Sequence, residues 1–331
     1  MNDCINGSSE DEFYIVAFSM SSVKQLGLFL VLLIIYLMVV LGNLTIIFLV
    51  CLVSKLHTPM YFFLCNLAII DITSTSTCVP KLLMILLTQD HRISFPCCIA
   101  QMFFFILCVN CEVFMLTAMA YDRYVAVCKP LQYYTIMRKN VYVVMAASTW
   151  KLSSLNSLVH TILTSILQFC NSHDINNFFC DLNSVVELSS TDVTSQKAFM
   201  FSIIIIIPIV QFLLTIVSYI FIISAILKIR SSAGRMKAFS SCTSHLITVI
   251  LFYGPSMFLY LKPESEDSKD LDMLLSMLYL LVVPMLNPLV YSLRNKEVWE
   301  GVVTLIKDIK LKCSLLICDQ FNIRLTRHFL P

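Results

Sequence analysis

Apolar residues fall in long blocks separated by short polar clusters, without the alternation of a half-buried strand or the narrow stripe of a soluble amphipathic helix. The hydrocarbon core of a bilayer takes about 20 apolar residues of helix. Seven blocks bounded by charge reach that length: Leu26–Val53, Met60–Leu87, Cys98–Val127, Val141–Leu167, Ala198–Leu227, Ala238–Leu261 and Leu271–Leu293. The pattern predicts an all-α membrane protein, a seven-helix bundle over 26–293 between a tail, 1–25, and a carboxyl-terminal segment, 294–331. The second and fourth blocks, rich in Ser and Thr, are the least apolar.

Composition agrees. Of 331 residues, 58% are hydrophobic and 13% charged, whereas soluble domains carry about 25% charge. A net charge of +2 gives no reason to expect a nucleic-acid partner. Most of the 14 cysteines lie inside apolar runs, where a thiol behaves as a small hydrophobe.

Charge also orients the chain. Segments 54–57, 128–140, 228–237 and 294–331 carry 15 Lys and Arg, against 5 in 1–25, 88–97, 168–197 and 262–270. The positive-inside rule puts the amino terminus outside and the carboxyl terminus in the cytosol. The first 25 residues lack the basic start and small-residue cleavage site of a removed signal peptide, so the first span is expected to act as its own anchor. Asn6-Gly7-Ser8 is then an outward-facing glycosylation sequon, while Asn43-Leu44-Thr45 lies within a span.

Ionisable groups within a span cost at least about 2.5–3.5 kcal/mol on insertion scales, which makes each a candidate functional residue. Asp71 and Glu112 stand out, with Asn43 and Asn287 at comparable depth. Two carboxylates and two amide oxygens suit a hard cation such as Na⁺ or a shared proton; they suit equally a hydrogen-bond network between helices. Along the third span, Phe105, Glu112 and Arg123 share one face at 100° per residue. Phe105, Ile106, Val109 and Asn110 extend it at the outer end, either as a cavity wall or as helix packing. At the cytosolic end, Asp122 beside Arg123 can pair in one state and release the guanidinium in another. Pro208, Pro255, Pro284 and Pro288 interrupt the helical ladder and permit kinks. Lys151, following Trp150, must snorkel or meet an acid.

The motifs now in view are Leu56-His57-Thr58-Pro59-Met60-Tyr61, Met119 to Cys128 with Asp122-Arg123-Tyr124, Ser218-Tyr219, Lys237-Ala238-Phe239-Ser240-Ser241-Cys242-Thr243-Ser244-His245, Phe252-Tyr253-Gly254-Pro255 and Pro284-Met285-Leu286-Asn287-Pro288-Leu289-Val290-Tyr291. In this order the chain resembles an odorant (olfactory) receptor of the rhodopsin-like G-protein-coupled class, from Phe13 to Trp299. The resemblance implies a plasma-membrane receptor that activates a stimulatory, cyclic-AMP-raising heterotrimeric G protein. It casts Asp122, Arg123 and Tyr124 as the cytosolic switch, with Tyr219, Asn287 and Tyr291 supporting it, and Asn43, Asp71, Glu112 and Asn287 as a buried ion or polar network. The basic residues of 228–237 would meet G protein and anionic lipid.

The same resemblance places a ligand in the outer half of the bundle, at Phe105, Ile106, Val109, Asn110, Ile203, Ile207, Tyr253, Ser256 and Tyr260. These are nearly all apolar or aromatic, which favours a small, mostly hydrophobic odorant held by one or two hydrogen bonds. A charged ligand would lack a counter-ion there. The family's disulfide implies a Cys98–Cys180 bridge. Its further loop bridge would use Cys170, but the partner position is occupied by Leu188-Ser189-Ser190, and Cys97 is a candidate substitute. With Cys4 the outer side holds five cysteines, an odd number.

Val298, Val302, Leu305, Ile306 and Ile309 recur at helical spacing, as in a helix lying on the inner membrane surface, and Cys313 or Cys318 are palmitoylation candidates. A transporter or channel is disfavoured by the lack of inverted repeats or a file of intramembrane charges, and an enzyme by the lack of any G-x-S-x-G or H-E-x-x-H pattern. No cofactor is expected beyond the Na⁺ near Asp71 and Glu112.

Overall fold

A computed structural model describes residues 12–16, 22–170, 172–190, 194–261, 269–294 and 303. Long helices dominate: α1 (Ser22–Leu52), α2 (Pro59–Thr88), α3 (Phe95–Cys128), α5 (Lys139–Ser165), α7 (Thr194–Leu227) and α8 (Ser232–Leu261). A seventh stretch comprises α9 (Lys269–Met277), a π-helical turn at Leu278–Val282 and α10 (Val283–Arg294). Two short helices lie in connections, α4 (Tyr133–Ile136) and α6 (Leu182–Glu187). The helical stretches coincide with the seven apolar blocks to within a few residues. Five of them are long and apolar enough to cross a membrane: α1, α2, α3, the Ala198–Leu227 part of α7, and Met273–Tyr291. Helices α5 and α8 are long enough but more polar. The fourth block was expected to be weak; the sixth was not, and the Ser-rich first half of α8 lowers it.

Local chemistry sets the helix ends. Pro59 opens α2 behind an extended Thr58, where a missing N–H costs nothing. Gln89 closes α2 in the left-handed region, φ 60°, and returns its N–H to Ile85 O. The Arg92 guanidinium then grips both Asp90 oxygens, at 2.9 and 3.2 Å, and holds that carboxyl down at about 2.

Sequence reading missed a three-stranded sheet that closes one end of the bundle. Strand β1 (Glu12–Ile15) lies between β2 (Arg92–Ser94), antiparallel, and β3 (Asp174–Ile175), parallel. The strands are too short for periodicity to reveal. Phe13 projects from β1 into the core, fully buried, its ring 5.2 Å from Phe169 and 6.0 Å from Phe95.

The outward faces are apolar. Leu26, Leu30, Ile34, Leu37, Leu41 and Phe48 on α1, and Ile206, Val210, Leu213, Leu214, Val217 and Ile220 on α7, are exposed. A continuous apolar surface of this extent is solvated by lipid, not water. Lys151 stands on that exterior, so its ammonium can snorkel towards a headgroup. Val303 is described, but Val298, Val302 and the rest of the expected surface helix lie outside the described residues, as do Asn6, Cys4, Cys313 and Cys318.

At Gly42, α1 and α10 approach so closely that a Cβ would sit 3.3 Å from Pro288 Cγ. Replacing Gly42 by Val is expected to cost about 1–3 kcal/mol through overpacking, read as a lower melting temperature of the detergent-solubilised protein. An unchanged melt would mean that these helices do not touch.

Candidate functional site

Prolines shape the centre of the bundle. Pro284 has no N–H to return to Leu280 O, and Pro288 none to return to Pro284 O. Both carbonyls are met from neighbouring helices. Thr75 of α2 shares its hydroxyl proton between Asp71 O at 2.8 Å and Leu280 O at 3.2 Å. Asn43 of α1 donates to Pro284 O at 3.1 Å and to Val39 O at 3.0 Å. The turn between the two prolines carries Asn287, whose Nδ2 donates to Asp71 Oδ2 at 2.9 Å. Glu112 accepts from the Tyr279 hydroxyl at 3.0 Å. The four residues expected to converge therefore form no single hydrogen-bonded cluster. Asp71 and Asn287 are partners, Glu112 belongs with Tyr279, and Asn43 turns to backbone because a proline has freed a carbonyl beside it. Asp71 Oδ1, Asn287 Oδ1 and Glu112 Oε1 are buried acceptors with no hydrogen-bond partner.

At the end of α3 remote from the sheet, Asp122 is fully buried and pairs with Arg123, Oδ2 to Nη2 at 2.6 Å. Tyr133 of α4 donates to the other Asp122 oxygen at 2.8 Å. The guanidinium also reaches Ser241 of α8 at 3.0 Å, latching α3 to that helix. One turn further along α8, His245 bridges three helices. Its Nε2 lies 3.0 Å from Leu116 O on α3 and its Nδ1 2.7 Å from the Tyr219 hydroxyl on α7. In the neutral ring Nε2–H donates to the carbonyl and Nδ1 accepts from tyrosine. Tyr219 is thus engaged by His245. Tyr291 packs instead with the cluster between α1, α2 and α3, and Tyr124 lies against Phe221 at 5.9 Å. Sequence reading missed the Tyr133, Ser241 and His245 contacts; His245 and Ser241 stood within a quoted motif, but nothing showed where their side chains went. Lys228, Arg230, Arg235 and Lys237 are exposed.

Near the sheet lies a cavity of about 150 Å³. Its walls include Phe105, Ile106, Val109 and Asn110 on α3, Phe252, Tyr253 and Ser256 on α8, and Leu275, Ser276 and Tyr279 beyond. From α7 the lining residues are Ile204 and Pro208. Ile203 and Ile207 had been expected there; each is one position, 100° of helix, away from the residue that faces the cavity. The Tyr260 side chain lies outside the described residues.

The loop between α5 and α7 supplies a wall that no span pattern could show: Asn177, Phe179, Asp181, Leu182 and Asn183. The Cys98–Cys180 disulfide holds this loop to α3. Gln101 reinforces it by accepting from Cys180 N at 2.8 Å, and the Phe179 ring covers Phe105 at 4.7 Å. Asp181 corrects the expectation that no charge borders the cavity. Its carboxylate is nevertheless occupied, accepting from Asn177 at 2.9 Å and from Ser184 N at 3.1 Å as the cap of α6. Cys97, the candidate substitute for the missing loop cysteine, does not bridge Cys170: Cys97 is free and exposed, whereas Cys170 is disulfide-bonded.

The sequence profile of the olfactory receptor family matches residues 32–309. Mouse olfactory receptor 5AR1 is 44% identical over 293 residues, 88% of this chain and 94% of its own length. Human olfactory receptor 13D1 is 43% identical over 297 residues, 90% and 86% of the two chains. Gorilla olfactory receptor 1G1 is 44% identical over 301 residues, 91% and 96%.

Asn287→Ala would leave the buried Asp71 carboxylate with no donor. It is expected to destabilise the solubilised protein by about 1–3 kcal/mol, seen as a lower melting temperature. No change in melting would show that the Asp71–Asn287 bond contributes nothing.

Proposed function

The chain belongs to the olfactory receptor family, G-protein-coupled receptors and not enzymes, and from that premise we propose how it works. It is a plasma-membrane receptor that crosses the bilayer seven times, with 1–25 outside, the bundle over 26–293, and 294–331 in the cytosol. It binds a small, mostly hydrophobic odorant in the cavity beside Phe105 and Phe179 and activates a stimulatory heterotrimeric G protein, raising cyclic AMP.

The observation that carries this reading is that α8 touches both ends of the relay. Phe252, Tyr253 and Ser256 line the cavity, and Ser241, about three to four turns away, holds Arg123. Pro255 lies between the cavity residues of this helix and permits a bend there. A ligand that favours a bent or rotated α8 therefore weakens the Ser241 contact and frees Arg123 for a partner. Tyr219 and His245 sit on the same moving seam and would exchange partners as it opens. Tyr124 and Tyr291 flank it, and the exposed basic residues of 228–237 would meet G protein and anionic headgroups.

The cavity's chemistry limits the ligand. A site of this size accepts a molecule on the order of benzene. Ser256 spends its proton on Phe252 O at 2.8 Å, and Asn110 spends an N–H on Ile106 O at 2.8 Å. What remains is the Asn110 oxygen and second N–H together with the Tyr253 hydroxyl, buried with no hydrogen-bond partner, so a ligand with one small polar group such as a hydroxyl, able to donate and accept, and an apolar body is favoured. In the centre, the partnerless Asp71 and Asn287 oxygens fit a hard cation such as Na⁺, whose charge would balance the carboxylate. No trio of His, Cys, Asp and Glu side chains that could hold a metal ion occurs among the described residues.

A panel of small volatile alcohols and hydrocarbons applied to transfected cells tests the reading through cyclic AMP. The wild type should respond to some members, Asn110→Leu should lower the response to alcohols at least about tenfold, the equivalent of a lost hydrogen bond of about 1.4 kcal/mol, and Arg123→Ala should be silent at normal surface expression. Full signalling from Arg123→Ala would refute the switch.

A further inference from the structure

We propose, on the seven crossings given under Proposed function, that the outward face of α5 around Ser148 and Lys151 docks a transmembrane helix of a second membrane protein. The contact is made through an Asp or Glu that this helix carries near mid-bilayer. Lys151 is exposed on α5, about 18 Å along the axis from Lys139 and about 21 Å from Ser165. In a hydrocarbon core about 30 Å thick it therefore stands near the middle. Its four-carbon stem covers less than half the distance to either headgroup layer, so snorkelling alone leaves the ammonium in hydrocarbon. A cation at that depth is costly unless it is paired.

Ser148 lies one turn before Lys151 on the same face and is also exposed. Neither side chain has a hydrogen-bond or ion-pair partner among the described residues. The flanking Thr149 and Ser154 hydroxyls, by contrast, return to their own helix, donating to Met145 O at 3.1 Å and to Trp150 O at 2.7 Å. Ser148 and Lys151 thus offer a hydroxyl and an ammonium about 5–6 Å apart at Cβ, a spacing that lets one carboxylate accept from both. Around them, Val144, Ser148, Lys151, Leu155, Leu158 and Ile162 recur at alternating steps of four and three residues along the exposed side. That is the seam one helix presents to another in a left-handed pair, and a single lysine within it fixes register and partner. Ser148 is also small enough to let a second backbone approach closely.

A second copy of the chain does not supply the acid. Apart from residues at helix ends, the described acids of the spans are Asp71, Glu112 and Asp122, all buried within the bundle. Two α5 faces would therefore bring Lys151 against Lys151. A side chain on a foreign helix carries a carboxylate to the depth of Lys151, and the pairing neutralises both charges.

Purified full-length receptor, reconstituted in phosphatidylcholine vesicles with a labelled poly-leucine helix peptide carrying one central Asp, tests this by energy transfer. The Asp peptide should bind at least about tenfold more tightly than its all-Leu counterpart. Lys151→Leu should erase that preference, and Lys151→Glu should transfer it to a peptide with a central Lys. Ser148→Ala should weaken binding of the Asp peptide and leave that of the Leu peptide unchanged. Equal binding of the two peptides, or a preference that survives Lys151→Leu, would overturn the proposal. Receptor–receptor energy transfer that Lys151→Leu abolishes would assign the face to a second copy and overturn it as well. Treating Lys151→Cys with a membrane-impermeant maleimide on both sides of the membrane, read by peptide mapping, separates the two levels. An unlabelled position 151 with no preference for Asp rejects the docking face alone, whereas a labelled one rejects the crossing of α5 beneath it.

Discussion

Inside hydrocarbon a carbonyl that loses its helical N–H has no water to turn to, and leaving it bare costs several kcal/mol. The stretch from Leu278 to Arg294 carries two prolines four residues apart, so it creates two such carbonyls in succession. Much of the bundle's centre can be understood as the answer. Thr75 reaches Leu280 O from α2 and Asn43 reaches Pro284 O from α1. Gly42 lets the two helices close to contact at Pro288. The π-helical turn ahead of Pro284 widens the helix just where the ladder fails. Asn287, brought round by this geometry, is then opposite Asp71. One helix that cannot satisfy itself is thereby tied to two that can supply donors.

Helix α3 spans the distance between the two ends that matter. Near the sheet it is fixed by the Cys98–Cys180 disulfide and lines the cavity; at the other end its Asp122 and Arg123 meet Tyr133 and Ser241. Such a helix is a poor candidate for movement, being the most enclosed of the long apolar ones. Helix α8 is freer: it packs far less on α3 than α2, α5 or α7 do, and it carries Pro255. Near the Arg123 end, a guanidinium to a serine and an imidazole to a carbonyl join α8 to α3, beside a small apolar cluster that includes Ala120 and Cys242. Polar contacts of this kind exchange partners at small net cost, whereas the apolar packing of α3 against α2 and α5 does not. A relay that moves α8 against a fixed α3 follows from that asymmetry.

The long helices were legible because a bilayer demands uninterrupted apolar length, and blocks such as Ala198–Leu227 announce it. Pairings across the bundle were legible only where chemistry left few choices, as with Asp122 beside Arg123 or the lone Asp71 near Asn287. Asn43 escaped because its target, the Pro284 carbonyl freed by Pro288, is 241 residues away along the chain. Glu112 escaped because tyrosines are common and nothing singles out Tyr279. On α7, Ile203 and Ile207 differ from Ile204 only in helical phase, and a run of isoleucines carries no phase. The sheet of Glu12–Ile15, Arg92–Ser94 and Asp174–Ile175 and the lid residues Phe179 and Asp181 depend on tertiary closure through a disulfide, which local pattern does not encode.

The whole account requires that the polypeptide pass through the bilayer an odd number of times, so that binding on one side can be sensed on the other. Epitope tags fused to residue 1 and residue 331 test this on cells before and after permeabilisation. The amino-terminal tag should be stained on intact cells and the carboxyl-terminal tag only after permeabilisation. Staining of both tags on intact cells, or of neither at normal surface expression, would contradict it.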